Sequence, residues 1–165
     1  MVRGLRAPQA YPGDVTEVEL AETHISWVFL AGDYAYKFKK PLDLGFLDFR
    51  EPARRLHFCR EELRLNGRLA PEIYLDLAGA TRTPAGWRVG PWREGAEPAV
   101  LMRRFPAAAR LDHRLEKGRL PAAALERFAR TLAEFQQDLP PAGADQALGS
   151  AAEVVRPALA NFDAL

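Results

Sequence analysis

Cysteine is almost missing from this chain of 165 residues, and the one present, Cys59, excludes an internal disulfide. It has no second cysteine and no histidine at zinc-finger spacing, so a structural zinc site of that kind is excluded as well. A reducing, cytoplasmic setting is the expectation. Long apolar runs are also lacking. The first fifteen residues carry Arg3, Arg6, Pro8, Pro12, Gly13 and Asp14 without an apolar stretch, which speaks against a signal peptide or a membrane span there. Excess charge is lacking too: 23 basic against 22 acidic residues leave a net charge of +1. No overall field steers the chain toward nucleic acid or an anionic membrane, and any anion site must be local. Lysine is the scarce base, standing only at positions 37, 39, 40 and 117.

The chain does hold enough apolar residues, 48%, for a core of ordinary domain size. From Val15 to Lys40 it is rich in β-branched and aromatic residues, broken by turn residues. Strands are expected near Val15 to Glu22, Ile25 to Leu30 and Tyr34 to Lys39, with Gly32-Asp33 as the last hairpin turn. In the third strand, period-two alternation places Tyr34, Tyr36 and Phe38 on one face and Ala35, Lys37 and Lys39 on the other. Arg50 to Leu69 predicts a helix, with Leu56, Cys59 and Leu63 three and four apart, Pro52 in its first turn and Pro71 beyond its end. Ile73 to Thr83, Trp87 to Gly90 and Ala99 to Phe105 predict further strands. Past Pro106 the pattern becomes helical: Leu111 to Lys117, then a helix opened by Pro121 with Leu125, Phe128, Leu132 and Phe135 on one face. A last helix opens on the capping pair Ser150 and Glu153. The order is that of an α+β protein, an antiparallel sheet followed by helices. Leu159, Phe162 and Leu165 end the chain without a stop signal. The expectation is a helical part that is cut rather than finished, open to self-association or to a missing C-terminal part.

Lys37 is the first candidate for chemistry. A mid-strand lysine two residues after the small Ala35, on the same face, sets an ammonium beside a flat apolar shelf, which suits phosphates and a purine ring. The plainer reading is a solvated lysine on a sheet. The helix that follows carries Glu61 and Glu62, and either could orient Lys37. Helical spacing does not separate them cleanly; Glu61 is favoured. Arg54, Arg55, Arg60, Arg64 and Arg68 could equally pair with those acids on a solvated helix. The same acids cancel much of the arginines' field, which argues against nucleic-acid binding. His24, His57 and His113 are scattered, and Cys59 reads as a small core residue.

The segments Glu22 to Leu30, Gly32 to Pro41, Gly45 to Phe49 and Phe58 to Asn66 resemble the start of a bacterial family in which an aminoglycoside-phosphotransferase-like, kinase-like domain is fused to a C-terminal P-loop ATPase or kinase domain. The resemblance continues through Arg68 to Leu75 and Val100 to Pro106. It implies a kinase-like small lobe, a five-stranded antiparallel sheet with one helix between the third and fourth strands, over residues 15 to 105. An N-terminal extension, 1 to 14, precedes it, and the start of a helical large lobe, 106 to 165, follows. It also implies ATP and Mg2+ as cofactors and a small-molecule hydroxyl as phosphoryl acceptor. Lys37 would contact the nucleotide phosphates with Glu61, or else Glu62, as its partner. Ala35 would line the adenine pocket, Met102 would stand at its gatekeeper-like end, and the backbone of Arg103, Arg104 and Phe105 would form the hinge that hydrogen-bonds adenine. The turn at Thr23 and His24 would lie where a phosphate-covering loop belongs.

Two departures bound this expectation. The turn from Thr23 to Ser26 has no glycine to let backbone amides close on phosphate. No H-G-D-x-H-x-x-N or H-R-D loop and no Walker-type G-x-x-x-x-G-K-[ST] occurs, and Asp112-His113-Arg114 reads as surface. The chain is therefore expected to bind a nucleotide without catalysing transfer alone, or else to serve as a stand-alone nucleotide-sensing or partner-binding module.

Overall fold

The computed structural model describes residues 1–141, 143 and 149–163. The chain divides into two compact units, Met1–Ala109 and Arg110–Leu165. Each folds by its own logic.

The first unit is built on a six-stranded, fully antiparallel sheet, β1 (Val18–Glu22), β2 (Ser26–Ala31), β3 (Tyr34–Lys39), β4 (Tyr74–Thr83), β5 (Gly86–Pro91) and β6 (Glu97–Arg103). Their spatial order is β1-β2-β3-β6-β4-β5. The resemblance implies five strands, whereas the residue pattern predicts six; six are present, and β5, expected at Trp87 to Gly90, hairpins onto β4 and forms an edge. β3 has the bounds its alternation predicts. Gly32, at φ 57°, fills the first central position of the two-residue β2–β3 turn, where a type II′ hairpin needs a positive φ. Helix α2 (Pro52–Asn66) runs between β3 and β4, shorter than predicted at both ends. Pro52 opens it in the first turn, where its missing N–H is not needed. The chain stops being helical at Gly67, four residues ahead of Pro71.

The sheet is covered on both faces. On one, Phe29, Tyr36, Phe38, Ala78 and Ala99 meet Leu5, Ala10 and Tyr11 in the main core. The Phe29 and Phe38 rings stand edge to face at 5.8 Å, and Tyr11 tilts against Tyr36 at 5.0 Å. Residues 1 to 14 are thus part of this unit rather than an extension to it. Helix α1 (Val2–Leu5) and the turn after it lie against β5, and the Tyr11 hydroxyl donates to the Leu5 carbonyl at 2.7 Å. The approach is close: a Cβ on Gly4 would stand 2.3 Å from Trp87 Cδ1. On the other face α2 packs across β4 and β6.

The second unit is helical: α3 (Leu111–Glu116), α4 (Ala122–Gln137) and α5 (Ala151–Asp163). The Ser150 Oγ accepts from the Glu153 N–H at 3.3 Å, half of the expected capping box. Among its described residues none is buried, and Leu125, Phe128, Leu159 and Phe162 are exposed. Leu165 lies outside the described residues. No helix among the described residues is long and apolar enough to cross a membrane.

Candidate functional site

Three elements converge on one carboxylate. The face of β3 opposite the main core carries Ala35, Lys37 and Lys39, and α2 lies over it. Glu62 Oε1 accepts from Lys37 Nζ at 2.7 Å, and Glu62 Oε2 accepts from Lys39 Nζ at 2.8 Å. The Lys37 side chain is 26% exposed, while those of Lys39 and Glu62 are 6% and 12% exposed. The expected partner, Glu61, is not the one used. It faces solvent and pairs with Arg64 at 2.7 Å. The reason is angular. The buried stripe of α2 is set by Arg55 and Cys59, four apart, and Glu62 continues it three residues on. Glu61 stands two residues past Cys59, roughly 200° around the helix.

Arg55 fixes the rotation of α2. Its guanidinium forks onto Glu97 of β6 at 2.5 and 2.8 Å and donates to the carbonyls of Phe49 and Arg50 at 2.8 and 2.6 Å. Only Arg can satisfy four acceptors from one planar head. From the sequence it was one of five helix arginines with nothing to set it apart. Lys39 was equally missed as a site residue, although its place on the Lys37 face was legible; its ammonium also stands 5.1 Å from the centroid of the Phe49 ring. Lys40 points elsewhere, to Glu22 at 2.5 Å.

Burial alone would raise the Glu62 carboxyl, but the hydrogen bonds and charges of Lys37 and Lys39 outweigh it and hold the group below its ordinary range. Cys59, fully buried beneath the cluster, is pushed up to about 12 by desolvation. It is a packed thiol, not a nucleophile.

The remaining expected site residues are placed unevenly. Ala35 is buried and pairs with Met102 of β6, which in turn faces Tyr74 of β4. Met102 therefore adjoins the strand position two residues before Lys37. Of the three amides expected to serve as a hinge, two are committed within the protein: Arg103 N–H donates to the Ile73 carbonyl and Arg104 N–H to the Asp33 carbonyl, both at 2.8 Å. Among the described residues the Phe105 N–H meets no backbone carbonyl, and the Phe105 ring is exposed. Thr23 staples its own turn: its Oγ1 accepts from the Ser26 N–H at 3.0 Å and its N–H donates to the Ser26 carbonyl at 2.9 Å. The hydroxyl expected near phosphate is thereby occupied, and His24 is exposed on the turn. Asp112 lies exposed on α3, hydrogen-bonded to Arg110, as a surface reading predicts. That partner holds its carboxyl at about 2.

An uncharacterized protein of Mycobacterium bovis and two of Mycobacterium tuberculosis, strains CDC 1551 and H37Rv, are each 39% identical to this chain over 120 residues. The match covers 73% of the chain and 22% of each relative, so the chain spans about a fifth of the length of the curated relatives it matches. No protein-family model matches the chain. No solved structure matches it.

Proposed function

We propose that this chain is the nucleotide-binding part of a kinase-like phosphotransferase, with the sheet and α2 as its small lobe and Lys37 as the contact to the ATP phosphates. The observation that carries the reading is the 2.7 Å bridge from Lys37 of the third strand to Glu62 of the following helix, which aims a partly exposed ammonium off the sheet. Three further features support it. The helix falls between the third and fourth strands, the small Ala35 stands two residues before Lys37 on the same face of β3, and the Phe105 N–H meets no backbone carbonyl among the described residues. The hinge role first given to Arg103, Arg104 and Phe105 together contracts to Phe105, because the other two amides already have acceptors. Among the described residues no group of three or more His, Cys, Asp and Glu side chains could hold a metal ion. Mg2+, implied with ATP by the resemblance, has no ligand set among them.

Transfer of a γ-phosphoryl group to a hydroxyl of a small molecule is the activity proposed for the whole protein to which such a part belongs. A stand-alone nucleotide-sensing module is the second reading, favoured by the exposed, ion-paired state of Asp112, the one aspartate beside a histidine and an arginine. Calorimetric titration of the chain with ATP and Mg2+ tests the shared premise. Saturable binding that Lys37→Ala abolishes supports it, and no heat of binding at millimolar ATP overturns it. A coupled phosphoryl-transfer assay on the same samples then divides the two readings.

A further inference from the structure

A lysine bridged to a single buried carboxylate is held in place for a phosphate, yet it has little charge to spare. Its charge is already neutralised, and drawing it away strands the carboxylate in a desolvated place. Here the carboxylate has two cations. Lys39 holds Glu62 Oε2 at 2.8 Å, and it cannot readily leave: it is 5% exposed, lies under α2, and has the Phe49 ring beside it. Lys37 holds the other oxygen and is the better exposed of the two. Arg55 of α2 and Glu97 of β6, on the same face of the sheet, pair with each other through their fork. Three cations against two anions leave the cluster with one net positive charge, and Lys37 is the member that reaches solvent.

We propose that Lys39 is a positioning residue for anion binding: by keeping Glu62 paired, it frees Lys37 to turn from Glu62 Oε1 to a phosphate oxygen. The inference rests on the reading of Lys37 as a phosphate contact and adds a residue that reading did not contain. Lys39 acts through Glu62 and does not touch the ligand. Its contribution must therefore disappear when Glu62 no longer carries a charge, which a direct contact or a purely structural role would not do.

The test is a double-mutant cycle read by calorimetric titration of the 165-residue chain with ATP and Mg2+, on wild type, Lys37→Met, Lys39→Met, Glu62→Gln and Lys39→Met/Glu62→Gln. Lys39→Met is expected to weaken binding roughly fivefold or more in the wild-type background, the lower end of ordinary coupling between sites. In the Glu62→Gln background the same substitution should change affinity by less than about twofold, within the usual scatter of additivity. Lys39→Arg, which keeps charge and donor, should retain binding. If Lys39→Met fails to fold, Lys39→Arg and the comparison of the double variant with Glu62→Gln carry the test, since the double variant buries no unpaired charge at these positions. An equal loss in both backgrounds, or no loss in either, overturns the role of Lys39. Wild type that binds no ATP removes the reading of Lys37 and this inference with it, whereas loss with Lys37→Met but not with Lys39→Met overturns the inference alone.

Discussion

Replacing Glu62 by alanine removes the one carboxylate that two lysines share. Lys37 can turn its ammonium to water, being 26% exposed at the side chain, but Lys39 at 6% cannot. One buried cation is left unpaired. Breaking a buried pair from one side costs about 3–5 kcal/mol, and because Lys37 is relieved by solvent the lower end, about 3 kcal/mol, applies. For a unit the size of Met1–Ala109 this corresponds to a fall in melting temperature of about 10 °C or more. Glu61→Ala removes only a surface pair with Arg64, screened by solvent, and should shift the melting temperature by far less than Glu62→Ala. Lys39→Met/Glu62→Met, which replaces the buried charges by apolar side chains of similar length, should recover most of the loss. Thermal melts followed by far-UV circular dichroism, with urea unfolding for the free energies, decide the matter. Equal losses for Glu61→Ala and Glu62→Ala would refute the argument that the Arg55–Cys59 stripe sets the helix face.

Acid should weaken the same cluster. The folded Glu62 carboxyl lies below its ordinary 4.5, so its stabilisation is complete above that value and drains away as pH falls through the folded value; urea titrations from pH 6 down to pH 3 should show a larger drop for wild type than for Glu62→Gln. Arg55→Lys should cost about 3 kcal/mol, since an ammonium cannot fork onto Glu97 and also serve two carbonyls, while Arg54→Lys on the exposed side should stay within about 0.5 kcal/mol. Cys59 should resist a thiol reagent at pH 8 in the folded chain and react at once in urea; rapid labelling of folded protein would contradict its burial and its rise to about 12. Tyr11→Phe should lose about 1 kcal/mol with its hydrogen bond to Leu5, and deleting residues 1 to 14 should abolish cooperative unfolding of the sheet, both read by urea denaturation.

Much of the fold was legible because its signals are local. The Gly32-Asp33 turn and the alternation from Tyr34 to Lys39 place β3 without any knowledge of its neighbours, and Pro52 marks the start of α2. The N-terminal fourteen residues were not legible as core: Leu5, Ala10 and Tyr11 follow no strand or helix period, and their burial depends on meeting β5 and the core face of the sheet, far along the chain. The site divides in the same way. Alternation alone placed Ala35 and Lys37 on one face of β3. Lys39 lay on the same face but had no reason to matter until α2 brought Glu62 to it.

What the sequence by itself determined is one strand face bearing Ala35, Lys37 and Lys39, a helix after it carrying two adjacent glutamates, and a turn at Thr23 without glycine. These are matters of period and composition, which a short stretch of chain fixes alone. Only the tertiary structure decided which glutamate serves, since that turns on the rotation of α2, and the rotation is held by Arg55 reaching Glu97 across 42 positions of chain. It also decided that a single carboxylate answers two lysines, and that the Arg103 and Arg104 amides are taken by the Ile73 and Asp33 carbonyls. Each of these depends on groups distant in sequence competing for one partner, and no local pattern ranks such competitors.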